Sequence, residues 1–242
     1  MGRYSVPLAA LFADFAGLED GRRVLDVGCG PGALTELLVT RFGPERIAAV
    51  DPSEPFVRAA RERLPGVDIR QASAEELPFA DGEFDAALAQ LVVHFMSDPQ
   101  AGVRELARVS RPGGVVAACV WDHGGGRGPL SPFWAVAREL DPTVAGETDL
   151  FGTHRGQVVA LFREALLDDI EEELLSVTVE HARFDEWWEP YTLGVGPPGA
   201  YVAGLEPERR EELRERCRAS FPAGAFPLTA SAWSVRGRVP AG

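Results

Sequence analysis

The chain has 242 residues, 45% of them hydrophobic and 25% charged, which suits one α/β domain with additions or two small domains. Its formal net charge of −13 argues against nucleic acid and anionic membranes as partners, because phosphate binding needs clustered Lys and Arg. Cys29, Cys119 and Cys217 are odd in number and lack CxxC spacing. We therefore expect neither a disulfide framework nor a metal site, and we expect a reducing, cytoplasmic location. Neither a signal peptide nor an apolar run of membrane-spanning length is apparent.

A strand and a glycine turn follow a short N-terminal cap. We predict a helix around 8–18 within a cap of residues 1–23, and then a buried strand at 24–28. Gly28, Gly30 and Gly32 are spaced two apart, with a predicted helix at 33–42 directly behind them. Because glycine has no Cβ, such a turn lets a ligand approach the main chain at a helix N-terminus.

The glycine turn by itself fits two kinds of ligand. Read as Gly28-x-Gly30-x-x-Ala33, it matches the dinucleotide fingerprint, which seats a pyrophosphate. Read as Asp26-x-Gly28-x-Gly30-x-Gly32, it suits the amino-acid end of a ligand, and Asp26 would favour a cation and repel a pyrophosphate. An ordinary tight turn is the third interpretation.

A second predicted strand, 47–51, ends in an acidic residue. Asp51 lies 23 residues after Gly28, close to the spacing at which an acid binds ribose hydroxyls. The alternative interpretation is that the carboxylate of Asp51 only caps the next predicted helix, 54–64. Ser53 is the better helix cap, however, and would leave Asp51 free for a ligand.

The remaining elements continue the alternation of strands and helices. Arg111-Pro112-Gly113-Gly114 ends a predicted helix at 99–110. Alternation of this kind is typical of a parallel, doubly wound sheet. Further strands are predicted at 67–71, 84–90, 114–121, 169–179 and 229–235, and further helices at 131–141, 155–167 and 206–219.

The segment 181–225, between the last two predicted strands, is longer than a hairpin requires. It carries Trp187, Trp188, Tyr191 and Tyr201. We expect this insertion to form a lid over a ligand pocket, together with the N-terminal helix. For the two tryptophans, a place in the hydrophobic core is at least an equal interpretation.

Taken in order, these segments resemble the class I S-adenosylmethionine-dependent methyltransferases, in particular the type 11 branch that acts on small molecules. The resemblance rests on residues 24–32, 49–56, 73–79, 84–90 and 111–114 and covers roughly the first half of the chain. It implies one α/β domain over 1–242 with a cofactor-binding core at 24–123. The implied fold is a Rossmann-like, doubly wound, seven-stranded sheet, mostly parallel with an antiparallel last strand, plus a helical lid.

The resemblance also implies S-adenosyl-L-methionine as cofactor and assigns its contacts. Asp26, Gly28, Gly30 and Gly32 would hold the methionine moiety, and Asp51 the ribose hydroxyls. Pro52 and Phe56 would flank the adenine, and Ser73, Ala74 and Glu75 would lie along its edge. Gln90 would complete the site.

One of these positions departs from the family pattern. The family usually has Asp where Ser73 stands. The hydroxyl of Ser73 can still accept a hydrogen bond from the adenine amino group, but a neutral acceptor should bind it less tightly.

The acceptor is expected at the carboxyl ends of the fourth and fifth strands, near residues 90–95 and 121–123. Methyl transfer from a sulfonium is an in-line displacement, so the protein mainly aligns the acceptor and excludes water. His94 is the best candidate for a general base, because its neutral form is available near pH 7. A packing role or a cofactor contact is the alternative for His94, and His123, beside three glycines, is a weaker candidate.

Two other functions stay open at this point. An NAD(P)-dependent oxidoreductase would use the glycines and Asp51, but it has no use for Asp26. The chain also has no lysine for the common Tyr-x-x-x-Lys pair. A non-catalytic adenosyl-ligand-binding protein would carry the same site. We expect a small-molecule methyl acceptor as partner, no nucleic acid or membrane partner, and a monomer or homodimer.

Overall fold

A computed structural model describes residues 2–19 and 21–241. The strands are β1 (Val24–Val27), β2 (Ile47–Asp51), β3 (Asp68–Gln71), β4 (Phe84–Gln90), β5 (Ser110–Trp121), β6 (Asp168–His181) and β7 (Phe226–Arg238). The α-helices are α1 (Gly2–Ala16), α2 (Ala33–Phe42), α3 (Glu54–Arg63), α4 (Pro99–Val109), α5 (Ser131–Leu140), α6 (Gln157–Glu164), α7 (Phe184–Trp188), α8 (Gly196–Gly204) and α9 (Pro207–Ala219).

The strands form one seven-stranded sheet in the order β3-β2-β1-β4-β5-β7-β6. The first five strands are parallel to one another, and β7 runs antiparallel between β5 and β6. The sheet confirms the predicted fold class, including the antiparallel last strand. The order reverses beside β1, so the carboxyl ends of β1 and β4 flank the crevice where such sheets bind ligands.

Helices cover both faces of the sheet, which explains why the central strands are almost wholly apolar. Leu8 and Phe12 of α1 and Leu38 of α2 are fully buried against one face. Leu106 of α4 and Phe162 of α6 are fully buried against the other. A sheet enclosed in this way has only its strand ends and loops available for binding.

The first helix begins earlier than the sequence analysis predicted. It starts at Gly2 rather than near residue 8 and includes Pro7. Tyr4, Leu8 and Phe12 recur at helical spacing on its buried face. Because this burial continues to the first turn, packing on the sheet extends the helix through the proline.

The insertion after β6 has a hydrophobic core of its own, shared with α5 between β5 and α6. Sequence reasoning predicted α9 but missed α7, the 3-10 turn Glu189–Leu193 and α8. α7 and the 3-10 turn are too short for helical periodicity to show, and α8 is rich in glycine and proline, which disfavour a helix in sequence. Trp187 and Trp188 are 3% and 4% exposed, so both belong to this core. We call α5, α7, α8 and α9 the helical insertion.

The last two strands are longer than predicted. β6 extends to His181 and β7 begins at Phe226, and these two residues form the terminal pair between the two strands. Many residues of β6 are exposed and acidic, so apolar alternation marks only part of the strand. Long antiparallel pairing places His181 beyond the carboxyl end of β5, toward the helical insertion. In the described part of the chain, no helix is both long and apolar enough to span a membrane.

Candidate active site

The glycine turn leaves open space at one position only. A Cβ on Gly28 would lie 2.4 Å from the side chain of Val92, and one on Gly32 would lie 2.9 Å from Leu64. A Cβ on Gly30 would meet no atom within 4 Å. Gly28 and Gly32 are therefore required for packing, whereas Gly30 borders a space that a ligand can enter.

Asp51 holds this turn in place. Its Oδ2 accepts a hydrogen bond from the Gly30 amide at 2.9 Å, and its Oδ1 accepts one from the Ser53 amide at 2.8 Å. Ser53 precedes α3, but its side chain makes no capping hydrogen bond. The expectation that a Ser53 cap would leave Asp51 free was wrong, since the carboxylate itself receives these amides. Each carboxylate oxygen retains a further lone pair for a ligand hydroxyl.

Asp26 is enclosed at the end of β1. The residue is 1% exposed, and its Oδ2 accepts a 2.6 Å hydrogen bond from the hydroxyl of Thr35. Burial raises the pKa of Asp26 to about 7, against the lowering effect of Thr35, and the charge of Asp51 raises it further. A cationic group near the turn would offset the free-energy cost of burying the ionised carboxylate of Asp26, whereas a pyrophosphate would increase that cost.

The predicted adenine contacts lie along the ends of β2 and β3. Pro52 and Phe56 are exposed, the latter at 47%. Ser73 is half-buried, and Ala74 packs into the main core. The carboxylate of Glu75 accepts a 2.8 Å hydrogen bond from the Ser97 amide. Glu75 therefore ties this loop to the segment after β4 through one of its oxygens.

Gln90, at the end of β4, connects the sheet to the first helix. Its Nε2 donates to the carbonyl oxygen of Ser5 at 2.9 Å. Its Oε1 is buried and has no hydrogen-bond partner among the described residues. The first turn of α1 thus lies over the carboxyl end of β4.

His94 lies in a 3-10 turn, Val93–Phe95, directly after β4. It is 7% exposed, and neither ring nitrogen has a hydrogen-bond partner within the described residues. Burial lowers the pKa of His94 to about 3, and the charge of His123 lowers it further. The two imidazole rings lie 6.3 Å apart between centroids. His94 is therefore neutral near pH 7, and the same lowered pKa makes its ring a weak base.

His123 faces a buried carboxylate that sequence reasoning missed. Nδ1 of His123 lies 3.9 Å from Oε2 of Glu147, and both side chains are almost fully buried. Nε1 of Trp134 donates to the same oxygen at 3.2 Å. Burial lowers the pKa of His123 to about 4 and raises that of Glu147. No motif surrounds Glu147, so only the folding of the loop after α5 could reveal this contact.

A pocket of about 270 Å³ opens beside this pair, lined among others by His123, Trp134, Arg138, Glu147 and Thr148. A second pocket, of about 220 Å³, lies between the first turn of α1 and the helical insertion, lined among others by Tyr4, Leu130, His181, Trp187 and Tyr191. The Tyr4 hydroxyl and Nε2 of His181 form a 2.9 Å hydrogen bond there. Both pockets are small and bordered by aromatic rings.

Unpartnered polar atoms gather at this end of the molecule. Among the described residues, eight buried side-chain nitrogen or oxygen atoms lack a hydrogen-bond partner. One belongs to Ser234 within the sheet, and the others are Gln90 Oε1, His94 Nδ1 and Nε2, Trp121 Nε1, His123 Nε2, His181 Nδ1 and Trp187 Nε1. Leaving such a group unpaired costs about 1–3 kcal/mol, so native proteins contain few. Their concentration beyond the strand ends indicates a binding site for a polar ligand.

Comparison with known proteins finds similarity to methyltransferases. Residues 25–118 match a family model described as a methyltransferase domain. Trans-aconitate 2-methyltransferase of Rhodopseudomonas palustris is 39% identical over 106 residues, which is 44% of this chain and 41% of that protein. The YcgJ protein of Bacillus subtilis has a similar structure, with a TM-score of 0.63 and 19% identity over 97% of this chain and 98% of that chain.

A third similar structure contains a ligand. Phosphoethanolamine N-methyltransferase 2 of Haemonchus contortus, solved with phosphomonomethylethanolamine and S-adenosylhomocysteine, matches with a TM-score of 0.61 and 17% identity. The match covers 97% of this chain and 52% of that one. Residues 25–118 are therefore similar to a methyltransferase domain, and the chain shares the fold of these structures, in agreement with the resemblance drawn from the sequence. It spans less than half the length, 41%, of the trans-aconitate relative.

Proposed function

We propose that this chain is an S-adenosylmethionine-dependent methyltransferase that acts on a small organic molecule by in-line methyl transfer. The observation that carries the proposal is the arrangement around Gly30. This glycine borders open space, its amide is bound by Asp51, and the buried acid Asp26 lies beside the same turn. The family match over residues 25–118 supports the same cofactor.

The residues present fit S-adenosylmethionine. The turn of Gly28, Gly30 and Gly32 would hold the methionine moiety, with the open space at Gly30. Asp26 would offset its positive charge, and Asp51 would accept from the ribose hydroxyls. The adenine would lie among Pro52, Phe56, Ser73, Ala74 and Glu75, with Gln90 closing the site. When bound, the cofactor supplies an electrophilic methyl group on a sulfonium, which is a good leaving group.

The protein's own contribution is alignment and exclusion of water. The helical insertion borders both small pockets, and the first turn of α1, anchored through Ser5 to Gln90, borders the second of them. They would act as the lid over the acceptor. His94, which is buried, neutral and without a described partner, would border the acceptor and is, with His123, one of two histidines that can serve as general base.

A small acceptor accords with the dimensions and charge of the site. The two pockets hold about 270 and 220 Å³ and are bordered by aromatic rings. The net charge of −13 disfavours a nucleic-acid acceptor. The trans-aconitate relative is named for a small acid, which favours a small organic acceptor here without identifying it.

Calorimetric titration separates this proposal from its two rivals. We expect saturable one-to-one binding of S-adenosylmethionine and S-adenosylhomocysteine and no binding of NADH or NADPH. Asp51→Asn should weaken adenosyl-ligand binding at least tenfold, because a charged acceptor becomes neutral. Asp68→Asn, at the exposed start of the neighbouring strand β3, is the matched control and should leave the affinity unchanged. Binding of a nicotinamide nucleotide instead would make the chain an oxidoreductase candidate.

Release of S-adenosylhomocysteine in the presence of a panel of small acceptors tests catalysis itself. An enzyme should give stoichiometric methylated product with at least one acceptor. Tight adenosyl-ligand binding with no product across hydroxyl, amine and carboxylate acceptors would favour a non-catalytic adenosyl-ligand-binding protein.

A further inference from the structure

We propose that His123, positioned by Glu147, is the residue that takes the proton from a hydroxyl-bearing acceptor in this site. The inference rests on the proposed methyltransferase function and names a base other than His94. Its basis is geometric: Nδ1 of His123 lies 3.9 Å from Oε2 of Glu147, while Nε2 is buried and has no described partner.

The orientation of the ring separates its two nitrogens by role. With Glu147 ionised, Nδ1 carries the hydrogen and points toward the carboxylate, so the lone pair of Nε2 is available to a substrate. The carboxylate is held from its other side by Nε1 of Trp134 at 3.2 Å. His94, 6.3 Å away between ring centroids, has no hydrogen-bond partner for either nitrogen among the described residues. Nothing described therefore fixes its tautomer or stabilises its imidazolium form.

The glycine-rich loop after β5 lets the backbone approach His123 closely. A Cβ on Gly128 would lie 2.5 Å from Nδ1 of His123. A side chain there would displace the ring from Glu147. The loop after β5 therefore has a specific steric requirement at Gly128.

Other charged groups around His123 are already engaged. Asp122, its neighbour, accepts hydrogen bonds from Arg127, from the Gly125 amide and from Trp233. Arg138 lines the same pocket and donates to Thr148. The charge of Asp122 raises the pKa of His123 against the effect of burial, and Glu147 is the carboxylate that faces Nδ1 of the ring.

Burial makes proton uptake by His123 more favourable beside the Glu147 carboxylate than it would be for His123 alone. Burial disfavours an isolated carboxylate and an isolated imidazolium, which raises the pKa of Glu147 and lowers that of His123. When His123 takes a proton beside ionised Glu147, the pair becomes neutral overall. A poorly solvated site therefore favours proton uptake by the pair as a unit.

Methyl transfer to a hydroxyl also requires the loss of the hydroxyl proton. The acceptor oxygen forms a bond to the methyl carbon as the carbon–sulfur bond breaks with its electron pair on sulfur. The acceptor proton passes to Nε2 of His123 and later leaves to solvent. A hydroxyl needs this base because a neutral alcohol is a weak nucleophile, whereas a neutral amine can attack without one.

Nitrogen-15 NMR of histidine-labelled protein at pH 7.5 tests the pair without any acceptor. We expect His123 to carry its hydrogen on Nδ1. Lowering the pH to 5 should give an imidazolium-to-imidazole ratio at His123 that is about tenfold lower in Glu147→Gln than in the unmodified chain. Gln retains an acceptor for Trp134, so the loop contact survives while the charge is lost. Exposed His154 is the internal reference.

Hydrogen predominantly on Nε2 of His123, or an equal ratio in both proteins at pH 5, would overturn the proposal. Gly128→Ala should abolish the Nδ1 preference, whereas Gly204→Ala, where a Cβ meets nothing within 4 Å, should preserve it.

Kinetics add a second readout with phenol, catechol and benzyl alcohol as probes. His123→Gln should lower the rate of S-adenosylhomocysteine release at least a hundredfold, and Glu147→Gln should move the acid limb of the pH profile. A loss confined to His94→Gln would assign the base to His94 instead. If no probe is methylated, the hydroxyl-acceptor part of this inference fails. Loss of adenosyl-ligand binding would be the separate failure of the proposed function.

Discussion

At the scale of single residues, the site depends on side chains held in uncommon states. Asp26 is an acid buried beside a hydroxyl, and His94 and His123 are buried imidazoles. Gly28 and Gly30 have φ angles of 72° and 53°, a region that favours glycine. Such features are costly for folding alone, and they gather where a ligand would use them.

Asp26→Asn should change the pH dependence of stability. Because the pKa of Asp26 is raised to about 7, the folded state binds this proton more tightly than the unfolded chain. The contribution of Asp26 protonation to the free energy of unfolding is fully present below about pH 4. It is lost as the pH rises to 7, by up to about 1.4 kcal/mol per pH unit. Urea unfolding of Asp26→Asn and the unmodified chain at pH 5 and 8 should show the variant gaining relative stability at pH 8.

A relative stability of Asp26→Asn that stays constant between these two pH values would contradict the raised pKa. The neutral histidines act in the opposite direction. Lowered pKa values for His94 and His123 mean that stability is lost as pH falls from 6.5 toward 4. Both proteins share this trend, so their difference isolates Asp26.

Two alanine substitutions in the glycine turn should have different effects. Gly30→Ala meets only backbone strain, about 1–2 kcal/mol, but its methyl group enters the proposed ligand space. Gly28→Ala adds a clash with Val92 at 2.4 Å and should cost about 3 kcal/mol or more. Denaturant unfolding gives the ranking, and calorimetry should show that Gly30→Ala loses adenosyl-ligand affinity. An unchanged affinity would remove Gly30 from the site.

At the scale of elements, α1 has two roles. Its middle packs Leu8 and Phe12 on the sheet, and its first turn reaches Gln90 through Ser5 and His181 through Tyr4. A helix packed firmly on the sheet can hold one wall of an acceptor pocket. The helical insertion supplies the opposite wall through Trp187 and Tyr191.

Phe12→Ala should destabilise the fold by about 3–5 kcal/mol, because Phe12 is fully buried and its removal leaves a cavity. Leu11→Ala, one position away on the same helix and 39% exposed, is the matched control and should cost less than about 1 kcal/mol. Guanidinium unfolding measures both. Equal losses would show that α1 is not fixed to the sheet as described.

At the scale of the whole molecule, two hydrophobic regions are joined at the site. The sheet and its covering helices form one region, and the helical insertion forms another around Phe133, Trp188 and Leu213. Two of the unpartnered polar atoms, Nδ1 of His181 and Nε1 of Trp187, belong to residues that line the pocket between these regions. A site at such a junction can admit ligands through small movements of one region.

Leu213→Ala, in the core of the helical insertion, should accelerate amide hydrogen exchange mainly within 184–219. Leu38→Ala, under the sheet, should accelerate exchange throughout the chain, because it weakens the main core. Mass spectrometry of exchange by peptide distinguishes the two patterns. Uniform acceleration by Leu213→Ala would mean that the insertion and the sheet unfold as one unit.

Elements marked by patterns among neighbouring residues were predicted from the sequence, and elements set by tertiary packing were not. The central strands, the glycine turn and Asp51 were predicted because buried strands are continuous apolar runs and tight turns need glycine. α7 was missed because it is too short to show periodicity, and α8 because its glycines and prolines disfavour a helix in sequence. The start of α1 was misplaced because burial of Tyr4, not local preference, extends it.

The sequence by itself determined the order of strands and helices, the glycine turn and the class of fold, since each depends on short-range spacing. Only the tertiary structure decided which polar groups meet. Glu147 reaches His123 across 24 residues, and Gln90 reaches Ser5 across 85. Such contacts depend on how distant segments pack, because burial and hydrogen bonding are satisfied only after the sheet has brought those segments together.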